Sequence, residues 1–214
     1  MDQGTSYRTV KGPASVELVI NKSRFIGQCF PITTESEALE KLAALRKQYW
    51  DATHNCYAYS VGKKGEIARF SDDGEPGGTA GLPMMEVLRG AGVTDVLVVV
   101  TRYFGGVLLG TGGLVRAYSK ACAQAIAAAG PVDMVPCDLI DYTVPYEQWA
   151  RFEQELMRRG AKVEAEYREA VYCRLAVDSR GSQGLRDALF DLSRGTLTGK
   201  VVGREYRPED IREK

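Results

Sequence analysis

No apolar run in the sequence exceeds five residues, and Val96–Val100 is one such run. A bilayer-crossing helix needs about 20 apolar residues, so no membrane span is expected. The opening residues MDQGTSYRTVKG hold no apolar stretch, so no secretory signal is read there and the expected location is cytoplasmic. Net charge is absent too, with 28 Lys and Arg against 28 Asp and Glu. That excludes a nucleic-acid grip spread over the whole surface and leaves only a local basic patch. The five cysteines are Cys29, Cys56, Cys122, Cys137 and Cys173, none closer to another than 15 residues. Without a CxxC pair there is no zinc ribbon and no redox motif. The odd count reads as reduced, packed thiols. Walker A, GxGxxG and GxSxG patterns are also missing. There is no internal repeat and no low-complexity tract.

What remains is ordinary globular material, 44% hydrophobic and 26% charged over 214 residues. Val16, Leu18 and Ile20 alternate as in a half-buried strand. NKS at 21–23 is a turn, and RFIGQCF returns as a second strand. Thr34 and Glu37 have capping-box spacing ahead of a helix with Ala38, Leu42, Leu45 and Tyr49 on one face. NCYAYSV and EIARFS flank GKKG as a hairpin. A short helix is expected from Pro83 to Arg89, then DVLVVVTRYF as a strand covered on both faces. A long helix is expected from Leu114 to Ala129, stopped by Gly130 and Pro131. A domain boundary is read near GPVDMVPCD at 130–138, which Pro131 and Pro136 bracket. Beyond it the order is strand, helix, strand, strand, helix, strand, the βαββαβ of a ferredoxin-like domain.

Two glycine-rich segments are the candidate chemical loops. GGVLLGTGG runs from Gly105 to Gly113 between a buried strand and a helix. Its glycines (Gly105, Gly106, Gly110, Gly112 and Gly113) suit either a tight turn or backbone N–H groups turned to an anion. Thr111 is a candidate helix cap. FSDDGEPGGTAGLP carries Asp72, Asp73, Glu75 and Thr79. The three carboxylates could hold a divalent cation, but without EF-hand spacing an Asp-rich turn is preferred and no cofactor is expected. One of them is expected to partner Arg102, since an arginine on a buried strand needs a counter-charge. Lys22, Arg24, Arg102 and Arg116, with Tyr103, would bind phosphate or carboxylate if they converge. His54, the one histidine, stands two residues from Cys56, but no third group orients them as a catalytic pair.

FSDDGEPGGTAGLPM, VVVTRYFGGVLLGTGGLVRAYSKA, KSRFIG and ATHNCYAY, in that relation, resemble the IMPACT/YigZ family across essentially the whole chain. The resemblance implies an α+β protein of two domains. Residues 1–134 would form an αβ sandwich like a ribosomal-protein domain and the GHMP kinases. Residues 135–214 would form a ferredoxin-like domain like the last domain of elongation factor G. It also implies a translation-associated role, non-enzymatic, with the ribosome, RNA or a translation-related protein as partner and no membrane. The eukaryotic member regulates translation through an additional RWD domain, so its role does not carry over whole. The alternative is an enzyme or binder of a small anionic ligand or nucleotide that uses the two loops.

Overall fold

The computed structural model describes residues 4–159 and 161–209. The chain divides into two compact units, Tyr7–Asp133 and Met134 onward, the latter with the described residues before Tyr7.

In the first unit, β1 (Tyr7–Val10) precedes a hairpin of β2 (Ala14–Ile20) and β3 (Ser23–Pro31). Asn21 and Lys22 take φ of 46° and 63°, the left-handed pair that a two-residue hairpin turn requires. Helix α1 (Glu35–Gln48) follows. The Thr34 hydroxyl accepts from the Glu37 N–H at 3.2 Å, while the Glu37 carboxylate accepts from the N–H of Thr33 rather than of Thr34. The expected capping box is therefore present but closes one residue early. Then come β4 (His54–Val61), β5 (Ile67–Ser71), α2 (Gly81–Ala91), β6 (Val96–Tyr103) and α3 (Gly110–Ala129).

Strands β2 to β6 form one antiparallel sheet, in the order β2-β3-β6-β4-β5. Its central strand β6 faces apolar layers on both sides. Val96, Val98 and Val100 pack with α2 and α3, and Leu97 and Val99 pack with α1. Alternation on a strand therefore sends Arg102 toward α3 and Tyr103 toward the α1 side. The alanine ridge Ala117, Ala121 and Ala125 brings α3 close to the sheet. A Cβ placed on Gly27 of β3 would lie 2.7 Å from the carbonyl oxygen of Ala121.

The second unit reads β7 (Pro131–Val144, beginning in the last residues of the first unit), α4 (Tyr146–Arg159), β8 (Lys162–Tyr167), β9 (Val171–Asp178), α5 (Ser182–Leu192) and β10 (Lys200–Pro208). β10, β7, β9 and β8 follow the order of the ferredoxin-like plait, and β1 pairs with β7 as a fifth strand of that sheet. Trp149, Phe152 and Leu156 of α4 meet Leu185 and Leu189 of α5 over Ile140, Val171 and Leu175.

Three expectations need correction. The strand expected beyond residue 138 begins at Pro131, so β7 runs through the boundary region without a break. Pro131 opens the strand, and Pro136 lies beyond the reach of β9, which pairs only as far as Cys137. Helix α2 starts at Gly81, two residues before Pro83. Helix α3 starts at Gly110 rather than Leu114, so GTGG is its first turn and not a loop. All five cysteines are free and buried. No helix of the described residues is long and apolar enough to cross a membrane.

Candidate functional site

Each carboxylate of the acidic loop has a distinct task. The two oxygens of Asp72 accept three backbone N–H groups, from Gly78 (2.9 Å), Ala80 (3.0 Å) and Gly81 (2.8 Å). Helix α2 has no cap from its own N-terminal residue. Asp72 therefore caps it from a distance, with its negative charge at the positive helix end. Burial works to raise the Asp72 pKa, but the backbone donors outweigh it and hold the carboxyl below its ordinary range. Asp73, at φ 44°, accepts from the Asn55 N–H (2.7 Å) and from Arg46 (2.8 Å). Its carbonyl oxygen lies 2.8 Å from Nδ1 of His54. A carbonyl can only accept, so Nδ1 carries the proton and Nε2 is the unprotonated nitrogen of the neutral ring. Thr79 is buried and donates to the Pro76 carbonyl at 2.7 Å, which ties the loop to itself.

Glu75 is the loop's buried charge. It accepts from Arg102 Nη1 at 2.7 Å and from the Tyr118 hydroxyl at 2.6 Å. The Glu75 and Arg102 side chains are only 3% and 6% exposed, so water does little to screen the pair. The Arg102 guanidinium sits 5.5 Å from the ring centres of both Phe25 and Phe104. Its Nη2 donates to Ser23 Oγ at 3.3 Å, and its Nε has no partner. Burial, followed by the neighbouring Cys56 and Glu75, raises the Tyr118 hydroxyl far above its ordinary range, so it keeps its proton and donates it to Glu75. Nε2 of His54 approaches the free oxygen of Glu75 at 3.8 Å.

The two glycine-rich segments share one cleft of about 440 Å³, with His54, Glu75, Arg102, Phe104, Leu108 and Thr111 among its walls. Gly105 is fixed by a close approach, since a Cβ there would lie 2.0 Å from the Lys22 carbonyl carbon. Gly106 and Gly110 take φ of 80° and 70°. The expectation that Thr111 caps α3 is corrected: it lies inside the first turn, the capping position is taken by Leu109, and the Leu109 side chain makes no capping bond. The first backbone N–H groups of a helix have no partner within it. Gly113 packs on Leu109, and the Arg116 guanidinium lies 3.6 Å from where a Gly112 Cβ would stand.

Lys22, Arg24, Arg102 and Arg116 do not form one patch. Arg102 is inside, committed to Glu75. Lys22 is exposed on the β2–β3 turn and Arg116 on α3. Arg24 pairs in register with Tyr103, on the sheet face opposite Arg102. There Arg24 bonds Glu17 at 2.8 Å and lies 5.6 Å from the Tyr103 ring centre, while Tyr103 donates to Asp51 at 2.9 Å. Arg24 also feels the Tyr49 hydroxyl. On the same face Arg46 stands 6.0 Å over Tyr57, which stacks on Tyr59. Trp50 follows Tyr49 and is 82% exposed. This band of arginines and aromatics escaped the sequence reading because its members come from β3, β4, β6 and the end of α1. The signal was Tyr49-Trp50 directly after an amphipathic helix. Tyr118 was also missed, although it is the one aromatic in an alanine-rich helix face.

His54 and Cys56 face the same side, but they form no nucleophilic pair. Burial pushes the Cys56 thiol up to about 12, and it is committed to the Asp72 carbonyl at 2.9 Å. Among the described residues no group of His, Cys, Asp and Glu could hold a metal ion.

Residues 21–126 match the model of the Impact N-terminal domain family. Over 191 residues the chain is 39% identical to the IMPACT family member YvyE of Bacillus subtilis (strain 168), covering 89% of this chain and 88% of the relative. It is 37% identical to the IMPACT family member YigZ of Escherichia coli (strain K12), covering 90% and 96%. The similarity to the bovine (Bos taurus) Protein IMPACT, 37% identity, spans 44% of this chain and 31% of that protein. A solved structure titled "Crystal structure of an hypothetical protein" superposes with a TM-score of 0.58 at 33% identity, covering 92% of this chain and 98% of its own.

Proposed function

The chain belongs to the IMPACT family, and from that premise we propose that it is a non-enzymatic RNA-binding protein associated with translation. The observation that carries this reading is the exposed Trp50 beside a band of half-buried tyrosines and exposed arginines on the α1 side of the first sheet. Single-stranded nucleic acid is held by aromatic faces that stack on bases and by cations that meet phosphates. Trp50 offers the largest such face, with Tyr103 and Tyr57 beneath Arg24 and Arg46. Lys22 adds an exposed cation at the hairpin turn. In the second unit the outer sheet face is poor in free cations. Arg174 is paired with Asp141, Arg168 with Glu166, and Arg207 with Glu205. Arg24 and Arg46 of the band are paired as well, with Glu17 and Asp73, so it is Trp50 that assigns RNA binding to the first unit.

Tryptophan fluorescence tests the reading directly. The chain has two tryptophans. Trp149 is in the core of the second unit at 8% exposure, so quenching by added single-stranded RNA reports Trp50. The expected outcome is quenching at low salt that fades as salt rises. Trp50→Ala is expected to weaken binding about tenfold, the value of one stacked base. Absence of binding to ribosomes, structured RNA and single strands at low salt would remove this reading.

A further inference from the structure

On the other side of the same sheet the cleft has a different character. It is a bounded cavity with one polar end and an apolar wall, not a band. Leu108 is 86% exposed and Phe104 46% exposed, an unusual display of apolar surface for a loop with no partner. The polar end is made by the uncapped first turn of α3, where Gly110 and Thr111 line the cavity. Arg116 lies against Gly112 in that turn. Cations are disfavoured at a helix N-terminus unless an anion joins them. A second, independent observation comes from Arg102. It lines the same cavity at 5% exposure, and its Nε–H has no partner. Buried donors of a guanidinium are ordinarily all satisfied. Nε2 of His54, freed by the Nδ1 bond to Asp73, completes the wall as an acceptor in the neutral ring.

We infer that this cleft binds one nucleotide, with its phosphate at the first turn of α3 and its base against Phe104 and His54. An anion at a helix N-terminus meets several backbone donors at once. The open space at Gly106 and Gly110, where a Cβ would meet nothing, lets a ligand approach the backbone. The buried Glu75 does not oppose this, because Arg102 and Tyr118 both donate to it. Asp73 joins the cleft to the aromatic band, with its carbonyl oxygen 2.8 Å from Nδ1 of His54 and its carboxylate accepting from Arg46 at 2.8 Å. The nucleotide could therefore come from either of two sources, a free mononucleotide or the phosphorylated end of an RNA strand. The second source rests on the RNA reading above and the first does not.

Calorimetry on the full chain separates them. The probes are AMP, GMP, CMP and UMP, the matching nucleosides, and one hexanucleotide with either a 5′-phosphate or a 5′-hydroxyl. The expected result is that a mononucleotide, or the 5′-phosphorylated strand in preference to its 5′-hydroxyl form, binds, and that nucleosides do not. Thr111→Asp places a carboxylate where helices favour one, so the melting temperature should hold or rise while affinity falls about tenfold, the worth of one charge-assisted contact. Trp50→Ala should leave mononucleotide binding unchanged. If strands bind but ignore both the 5′-phosphate and Thr111→Asp, the cleft inference fails and the RNA reading stands. If mononucleotides bind and strands do not, the RNA reading fails and the cleft inference stands. Equal binding of nucleosides and nucleotides, or no binding of either mononucleotides or strands, overturns the inference.

Discussion

Arg102 is a guanidinium in the interior of a sheet protein, and its partner decides whether that is tolerable. Removing one member of a buried ion pair leaves the other charged and unpaired, which costs about 3–5 kcal/mol. Glu75→Gln keeps the shape and removes the charge, so it is expected to lose stability on that scale, read as a lower urea midpoint at unchanged slope. Asp72 makes a separate prediction about acid. Its folded pKa is held below its ordinary value. Its contribution is therefore present in full above the unfolded pKa of about 3.9 and is lost as pH falls through the lower folded value. Asp72→Asn keeps one accepting oxygen but loses the charge at the helix end, so it should cost about 0.3–1 kcal/mol at neutral pH, and the gap from the natural protein should narrow in acid. Stability measured at pH 7 and in stepwise acid tests the sign. At this scale the sequence was partly readable. An arginine on an apolar strand demanded a carboxylate, but three candidates stood close together in one loop. Only the backbone donors that claim Asp72 and Asp73 leave Glu75 for the arginine.

Elements were legible where hydrophobic periodicity was long. Strand β6 announced itself through its continuous apolar run, and α4 through Trp149, Phe152 and Leu156. Composition misled where glycine and proline do something other than break structure. GTGG looks like loop, yet it forms the first turn of α3, where missing side chains keep the cleft open. Pro131 and Pro136 look like breaks in the chain, yet they lie on β7 at its start and beyond the reach of its partner β9. Gly27 is silent in the sequence and decisive in the packing. Gly27→Ala would drive a methyl to 2.7 Å from the Ala121 carbonyl oxygen, separating β3 from α3. Overpacking of this kind costs about 1–3 kcal/mol, and a thermal melt should show it. The candidate site was harder to read than the fold, because it is assembled from β4, β6, α3 and two loops whose proximity depends on sheet order.

For the molecule as a whole, zero net charge limits what electrostatics can contribute. A protein that meets many phosphates loses affinity steeply with salt, with a slope near −0.7 per phosphate on single strands. Lys22, Arg24, Arg46 and Arg69 lie on or beside the proposed band, and three of them already hold carboxylates. The expected slope of log affinity against log salt is therefore shallow, about −1 to −2, with stacking supplying the rest. Charge reversal at Arg24 and Arg46 together should flatten it further. A steep slope would point to a basic surface outside this band. A pull-down that survives ribonuclease would point to a protein partner.

Asp73 belongs to both faces of the first unit. Its carbonyl fixes the His54 ring in the cleft, while its carboxylate holds Arg46 over the aromatic band. One residue in a left-handed conformation thus ties together two surfaces that would otherwise drift apart over evolutionary time. Among relatives, positions 46, 54 and 73 are expected to change in concert. A lineage that abandons the cleft should also relax the band, which an alignment of the family can check.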